Sequence, residues 1–169
     1  MTPEEYMQNK FATALSHGVR NPKISLFDGD YNRVIFKLGQ YSAINILYGV
    51  QSVAVGTIKN GQIEIYLHVD DYTRQQVTAV IYDFSHNPLQ STRLYAQLQH
   101  ACCFCNKSFR QNAKFGMEVG YGVHCGSYWN MPHTKKELTD YATRDMFANM
   151  DTAKNEADIP YMELDLRSD

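Results

Sequence analysis

Three of the chain's four cysteines fall within four positions, Cys102-Cys103-Phe104-Cys105, and nineteen residues separate Cys105 from the last, Cys125. Cys102 and Cys105 are the ends of a C-x-x-C, a spacing that lets one tight turn aim two thiolates at a single tetrahedral ion. Cys125 lies at the distance expected of a second ligand turn. It follows Gly120-Tyr121-Gly122, where glycine permits the sharp backbone such a turn requires. Asn106 and Lys107 come directly after Cys105, so their amides can donate to its sulfur and help to hold its charge. The spacing therefore predicts a structural zinc site on Cys102, Cys105 and Cys125. Only one cysteine stands in the second turn, so a structural ion needs a fourth ligand, for which His133, His124 and His100 are the local candidates. His133 ranks ahead of His124, whose neighbour Cys125 would point the other way, and His100 faces the preceding helix. Cys103 reads as a small buried hydrophobe.

Plain core cysteines compete with this reading, and so do two other chemistries. A dithiol redox pair at Cys102 and Cys105 prefers a strand-to-helix setting in a βαβ fold, and the chain has no such pattern. An open catalytic zinc would call for an accompanying H-x-E or HExxH, and neither occurs.

CCFCNKSF and EVGYGVHCGSYWNMP together resemble the two ends of a signature, roughly CCFCGxxLTDxxSxxVGYGPxC followed by tryptophan and proline, of a family of small zinc-ribbon-like proteins common in bacteriophages. The likeness extends over about residues 24–132 and includes the VAVGTIKNGQI hairpin and the helix broken at Asn87-Pro88. The chain departs from the signature in three places. SFRQNAKFGM replaces the segment with LTD and serine, Val123 replaces the proline, and Tyr128 stands where some relatives have histidine. The resemblance implies zinc on the three cysteines and a phage origin. It carries no activity.

The elements that must position these cysteines are those of an α+β fold, an antiparallel β-sheet with flanking helices and a zinc knuckle at about 100–133. Thr2 and Glu5 form a capping box with Pro3 in the first turn, opening a helix whose apolar face is Met7, Phe11, Ala14 and Leu15, with Gly18 as its stop. From Ile24 to Val69 the period is that of strands. Ile24–Phe27 and Arg33–Leu38 flank a turn at Asp28-Gly29. Asn60-Gly61 predicts a type I′ hairpin that pairs Ile58 with Ile63, Gly56 with Ile65 and Ala54 with Leu67. Val77, Val80, Ile81 and Phe84 form one helical stripe within 72–85. Asn87-Pro88 then opens another helix, with Leu94 and Leu98 facing inward. A capping box at Thr134 and Glu137 opens a helix to about Met150, with Leu138, Tyr141, Ala142 and Met146 on its stripe. Residues 1–150 are expected to form one domain and 151–169 an acidic tail.

With 44% hydrophobic residues, 169 residues are enough to bury a core. A net charge of −2 argues against a bulk nucleic-acid binder. No apolar run approaches a membrane span, and MTPEEYMQNKF lacks the apolar core of a secretory leader, so the expected compartment is cytoplasmic, that of the host if the chain is phage-encoded. Residues 1–136 hold 13 basic and 9 acidic side chains, and 137–169 hold 3 and 9. Asp28, Asp30, Asp70 and Asp71 sit where turns and helix caps want aspartate, which outweighs a metal reading. The expected function is that of a non-enzymatic, zinc-stabilised phage accessory protein that binds a host or defence protein. The alternative is a nucleic-acid or nucleotide module that stacks bases on Tyr48 and Tyr66 beside Arg33 and Lys37. A small metal-dependent nuclease or thiol-redox enzyme comes third.

Overall fold

The computed structural model describes residues 1–110 and 113–148, with side chains of the last helix to Thr143. Helix α1 (Pro3–Ser16) precedes strands β1 (Lys23–Phe27), β2 (Arg33–Leu38), β3 (Ile44–Tyr48), β4 (Val53–Lys59) and β5 (Gln62–Ile65). Helices α2 (Asp71–His86), α3 (Pro88–Gln99), α4 (Lys114–Val119), α5 (Val123–Tyr128) and α6 (Lys135–Ala148) follow. The fold is α+β. The five strands form one antiparallel sheet in sequence order, β1-β2-β3-β4-β5.

The meander follows from turn chemistry. Asn60 (φ 53°) and Gly61 (φ 73°) both take the left-handed conformation that a two-residue hairpin demands. Between β1 and β2, the Tyr31 amide donates to the Asp28 carbonyl (3.1 Å), and the Asp28 amide donates to that of Asn32 (2.9 Å). Tyr31 itself is left-handed, at φ 65°. The Asp28 carboxylate accepts from the amides of Asp30 (2.9 Å) and Asn32 (2.8 Å), the local bonding for which turns select aspartate.

Of the three rungs expected in the last hairpin, Ile58–Ile63 and Gly56–Ile65 form. Ala54 and Leu67 do not pair. A bulge shifts the β3–β4 register between Ile46 and Leu47, so Val55 becomes an extra residue on β4. Val55 and Gly56 are then buried in succession, Ala54 turns outward, and Leu67 lies beyond the end of β5. A bulge changes which residues share a face, so the expected alternation stops there.

The core lies between one sheet face and the first two helices. Ile24, Leu26, Val34, Phe36, Ile44, Ile46 and Ile58 form one cluster with Met7, Phe11, Val77, Ile81 and Phe84. The Thr2–Glu5 capping box is made, and Asp70 caps α2. Leu15, placed on the apolar face of α1 by period, is 40% exposed, one residue before the helix ends. In α3 the inward residues are Leu89, Thr92, Tyr95 and Ala96. Leu98 is exposed and Leu94 only half-buried, which corrects the expected stripe. The face is set by the neighbours of α3, since Tyr95 stacks on Phe27 of β1 with ring centroids 5.2 Å apart.

Two short helices, α4 and α5, occupy what the sequence suggested was a bare knuckle. The C-terminal carbonyls of α4 are held by α3: Thr92 Oγ1 donates to the Val119 carbonyl (2.5 Å) and Arg93 Nε to that of Glu118 (2.6 Å). Gly120 ends α4 at φ 98°, and a Cβ there would overlap the Thr92 carbonyl. Both its conformation and the closeness of α3 therefore require glycine. Gly120→Ala should cost roughly 2–4 kcal/mol, combining left-handed strain and overpacking. The measurement is the urea unfolding midpoint, and a variant as stable as wild type would contradict this account of the α3–α4 contact.

Candidate metal centre

Residues 100–109 fold as a miniature hairpin. Ala101 and Ser108 form a β-bridge, the Phe109 amide donates to the His100 carbonyl (3.0 Å), and the Cys102 amide donates to that of Lys107 (3.1 Å). At its tip the Asn106 amide closes a turn onto the Cys102 carbonyl (2.8 Å). Asn106 is left-handed, at φ 60°, a conformation asparagine tolerates better than most residues. Its side chain fixes the turn from both sides, accepting from Tyr95 Oη (2.5 Å) and donating to Ser25 Oγ (3.4 Å).

The hairpin lies along the edge of the sheet. The Ser25 amide of β1 donates to the Cys103 carbonyl (2.8 Å), and the Cys103 amide donates to that of Gly120 (2.9 Å). This brings the second turn alongside. Gly122 caps α5, and Cys125 is its third residue. A Cβ on Gly126 would collide with the Tyr121 ring, so glycine here lets α5 approach. An aromatic stack seats the assembly on α1: Phe104 lies on Trp129 (4.6 Å between centroids), and Trp129 meets Phe11 edge-on (5.1 Å). Lys10 Nζ donates to the carbonyls of Trp129 (3.1 Å) and Asn130 (2.9 Å), just past the end of α5. Burial lowers the Lys10 pKa to about 8.

The result is a group of three thiols. The sulfurs of Cys102, Cys105 and Cys125 all lie within 4.8 Å of one another, close enough to hold a metal ion. A tetrahedral ion with sulfur ligands at about 2.3 Å needs them roughly 3.8 Å apart, so small side-chain adjustments suffice. The thiols also bond one another. The Cys102 and Cys125 thiols donate to Cys105, and the Lys107 amide adds a further bond, holding the Cys105 pKa far below that of an ordinary thiol. Cys102 is pushed up to about 11, first by the proton it gives Cys105, and Cys125 is raised for the same kind of reason. These bonds favour ionisation at Cys105, the most exposed of the three residues. The Lys107 amide is one of the two donors foreseen from the residues after Cys105. Cys103 is fully buried, which raises its pKa strongly.

No histidine belongs to this group among the described residues. His133 Nδ1 lies 2.8 Å from the Met131 carbonyl and 3.5 Å from Glu137, and His124 is on the exposed side of α5. His100 is the left-handed cap of α3.

The four residues read as a stacking platform are not brought together. Tyr48 pairs with Val34 on the core face of the sheet, and its hydroxyl donates to Asp28 (2.5 Å). Arg33 and Lys37 alternate onto the opposite face of β2. Tyr66 lies past β5 and stacks on His68. Sequence reasoning gave no role to Ser25, Lys10 or the Asn106 side chain. Only the left-handed turn after Cys105 carries a local signal, an asparagine following a C-x-x-C.

Compared with family models, curated proteins and solved structures, the chain matches none.

If an ion joins these turns, losing a sulfur should loosen one region and spare another. Cys102→Ala or Cys125→Ala, or chelator on the wild type, should speed amide exchange by at least about tenfold across 100–133. The β2–β4 amides should keep their protection. Hydrogen-exchange mass spectrometry checks this, and equal protection everywhere would refute it.

Proposed function

We propose that the protein is a non-enzymatic, zinc-stapled α+β domain that works by binding another protein at one end of its sheet. Zinc is the ion proposed for Cys102, Cys105 and Cys125 because sulfur donors from two turns suit its tetrahedral preference. Its role is to fix the C-x-x-C hairpin to α5, and through them the later helices to the sheet. No helix among the described residues is long and apolar enough to cross a membrane.

The observation that carries the binding role is where apolar surface is exposed. Val50 and Val53 lie at the β3–β4 turn, Leu67 after β5, Tyr31 in the β1–β2 loop and Tyr72 at the start of α2. Their exposures are 102%, 53%, 98%, 65% and 48%. Strand register puts all five at the same end of the sheet. The Gly49 amide donates to the Arg33 carbonyl (2.9 Å), the Tyr66 amide to that of Val55 (2.9 Å), and Tyr72 Oη to Asp30 (2.5 Å). Scattered apolar side chains are ordinary, whereas several gathered in one place mark an interaction surface. The resemblance to a phage family makes a host or defence protein the partner proposed. Joint substitution Val50→Asp and Leu67→Asp should leave the circular dichroism spectrum intact and weaken capture of the partner by at least about tenfold, the loss of two apolar contacts. Undiminished capture would sink this surface.

One feature favours a second reading, nucleic-acid binding. Lys23 stands directly opposite Lys37 across β1 and β2, with Arg33 on the same face. Like charges so placed repel, and a polyanion would relieve them. Single-stranded oligonucleotide should then bind at low salt, and Lys23→Gln with Lys37→Gln should flatten the log–log salt slope by about 1.4. No binding at low salt ends this reading.

A further inference from the structure

We propose that the metal centre takes three ligands, Cys102, Cys105 and Cys125, from the described residues, and that its fourth position, on the solvent side beside Cys105, is filled by an exchangeable imidazole-type nitrogen donor. The proposal rests on the reading that Cys102, Cys105 and Cys125 hold an ion.

All the chain's soft donors can be placed. It has six histidines and four cysteines, and every one lies among the described residues: positions 111–112 are Gln-Asn, and 149–169 contain neither histidine nor cysteine. Yet the group that forms is the three thiols. Four of the histidines are engaged elsewhere. His17 Nδ1 lies 2.7 Å from the Tyr128 carbonyl, His68 stacks on Tyr66, His86 stacks on Tyr82, and His133 Nδ1 sits at the Met131 carbonyl. His100 and His124 stand outside the group as well. Cys103 directly follows Cys102, but its backbone bonds to Ser25 and Gly120 hold it in the core.

Helix geometry closes the remaining route. A second ligand from α5 would come one turn after Cys125 on the same face, and that residue is Tyr128, which is 43% exposed. Trp129, next along, is committed to the aromatic stack.

The group also has a buried and an open side. Cys102 is fully buried, Cys125 is half-buried, and Cys105 is exposed. An ion seated on these sulfurs therefore meets solvent at the Cys105 side, and an incoming donor needs no rearrangement of the core. Charge selects the donor. Three thiolates and a divalent ion sum to −1. A neutral imidazole leaves that balance unchanged, whereas a fourth thiolate would make it −2. A histidine of the bound partner is the natural source.

The test uses the full-length protein loaded with cobalt(II), whose visible bands report coordination. Free imidazole should shift those bands saturably while dialysis shows the cobalt retained. His124→Ala and His133→Ala proteins should have the wild-type spectrum without imidazole and respond to it equally. Bands that do not move with cobalt still bound would overturn the proposal, as would cobalt stripped out before any shift. So would a spectrum altered by either histidine substitution alone, since the fourth ligand would then be internal. A protein that takes up no cobalt fails the underlying metal reading, and the proposal with it.

Discussion

Ser25 gives its amide hydrogen to Cys103, and Cys103 gives its own to Gly120. These two backbone bonds run outward from the edge strand, and the later part of the molecule is organised around them. An edge strand presents unpaired amides and carbonyls. Here the chain supplies the missing partner from the residue between the two sulfurs of the C-x-x-C. Cys102 and Cys105 are thereby set relative to the sheet, and Gly120 is brought to the same place, with Cys125 five residues further on. The close approach is possible because Gly120 has no side chain to collide with α3. The group of three thiols is thus built on a sheet edge.

The local elements were legible in the sequence because their causes are local. Asn60-Gly61 sets its own register, Thr2 and Glu5 cap their own helix, and the stripe at Val77, Val80, Ile81 and Phe84 needs only a surface to meet. What could not be read depended on distant residues. The bulge at Val55 comes from the pairing of β3 with β4. The inward face of α3 depends on Phe27, nearly seventy positions before Tyr95. The helices α4 and α5 are six residues each, too short for a period to show. The three sulfurs were legible by type and spacing. The position of His133 was not, because its ring bonds to a carbonyl two residues away rather than turning toward Cys125.

The β1–β2 turn shows how one residue type can suggest two different roles. Asp28 is only 2% exposed, and a buried carboxylate must be fully bonded. Its oxygens accept from two amides, from Asn32 Nδ2 (3.1 Å) and from Tyr48. Burial first, and then this bond, raise the Tyr48 pKa. A tyrosine so engaged stabilises the turn and has no hydroxyl to spare for a ligand. The aspartate was correctly read as a turn residue, and Tyr48 belongs with it as the partner twenty positions downstream.

The two margins of the sheet also restrict how this molecule can be recognised. Along one margin the Ser25 amide of β1 is already bonded to Cys103. Along the other, β5 offers only four residues, with Gln62 and Glu64 directed outward. A peptide that sought to join as a sixth strand would find almost no rungs to bind. Recognition by strand addition is therefore disfavoured by construction, and a visitor must be selected by side-chain chemistry, at the rim of the barrel-less sheet or on its open face.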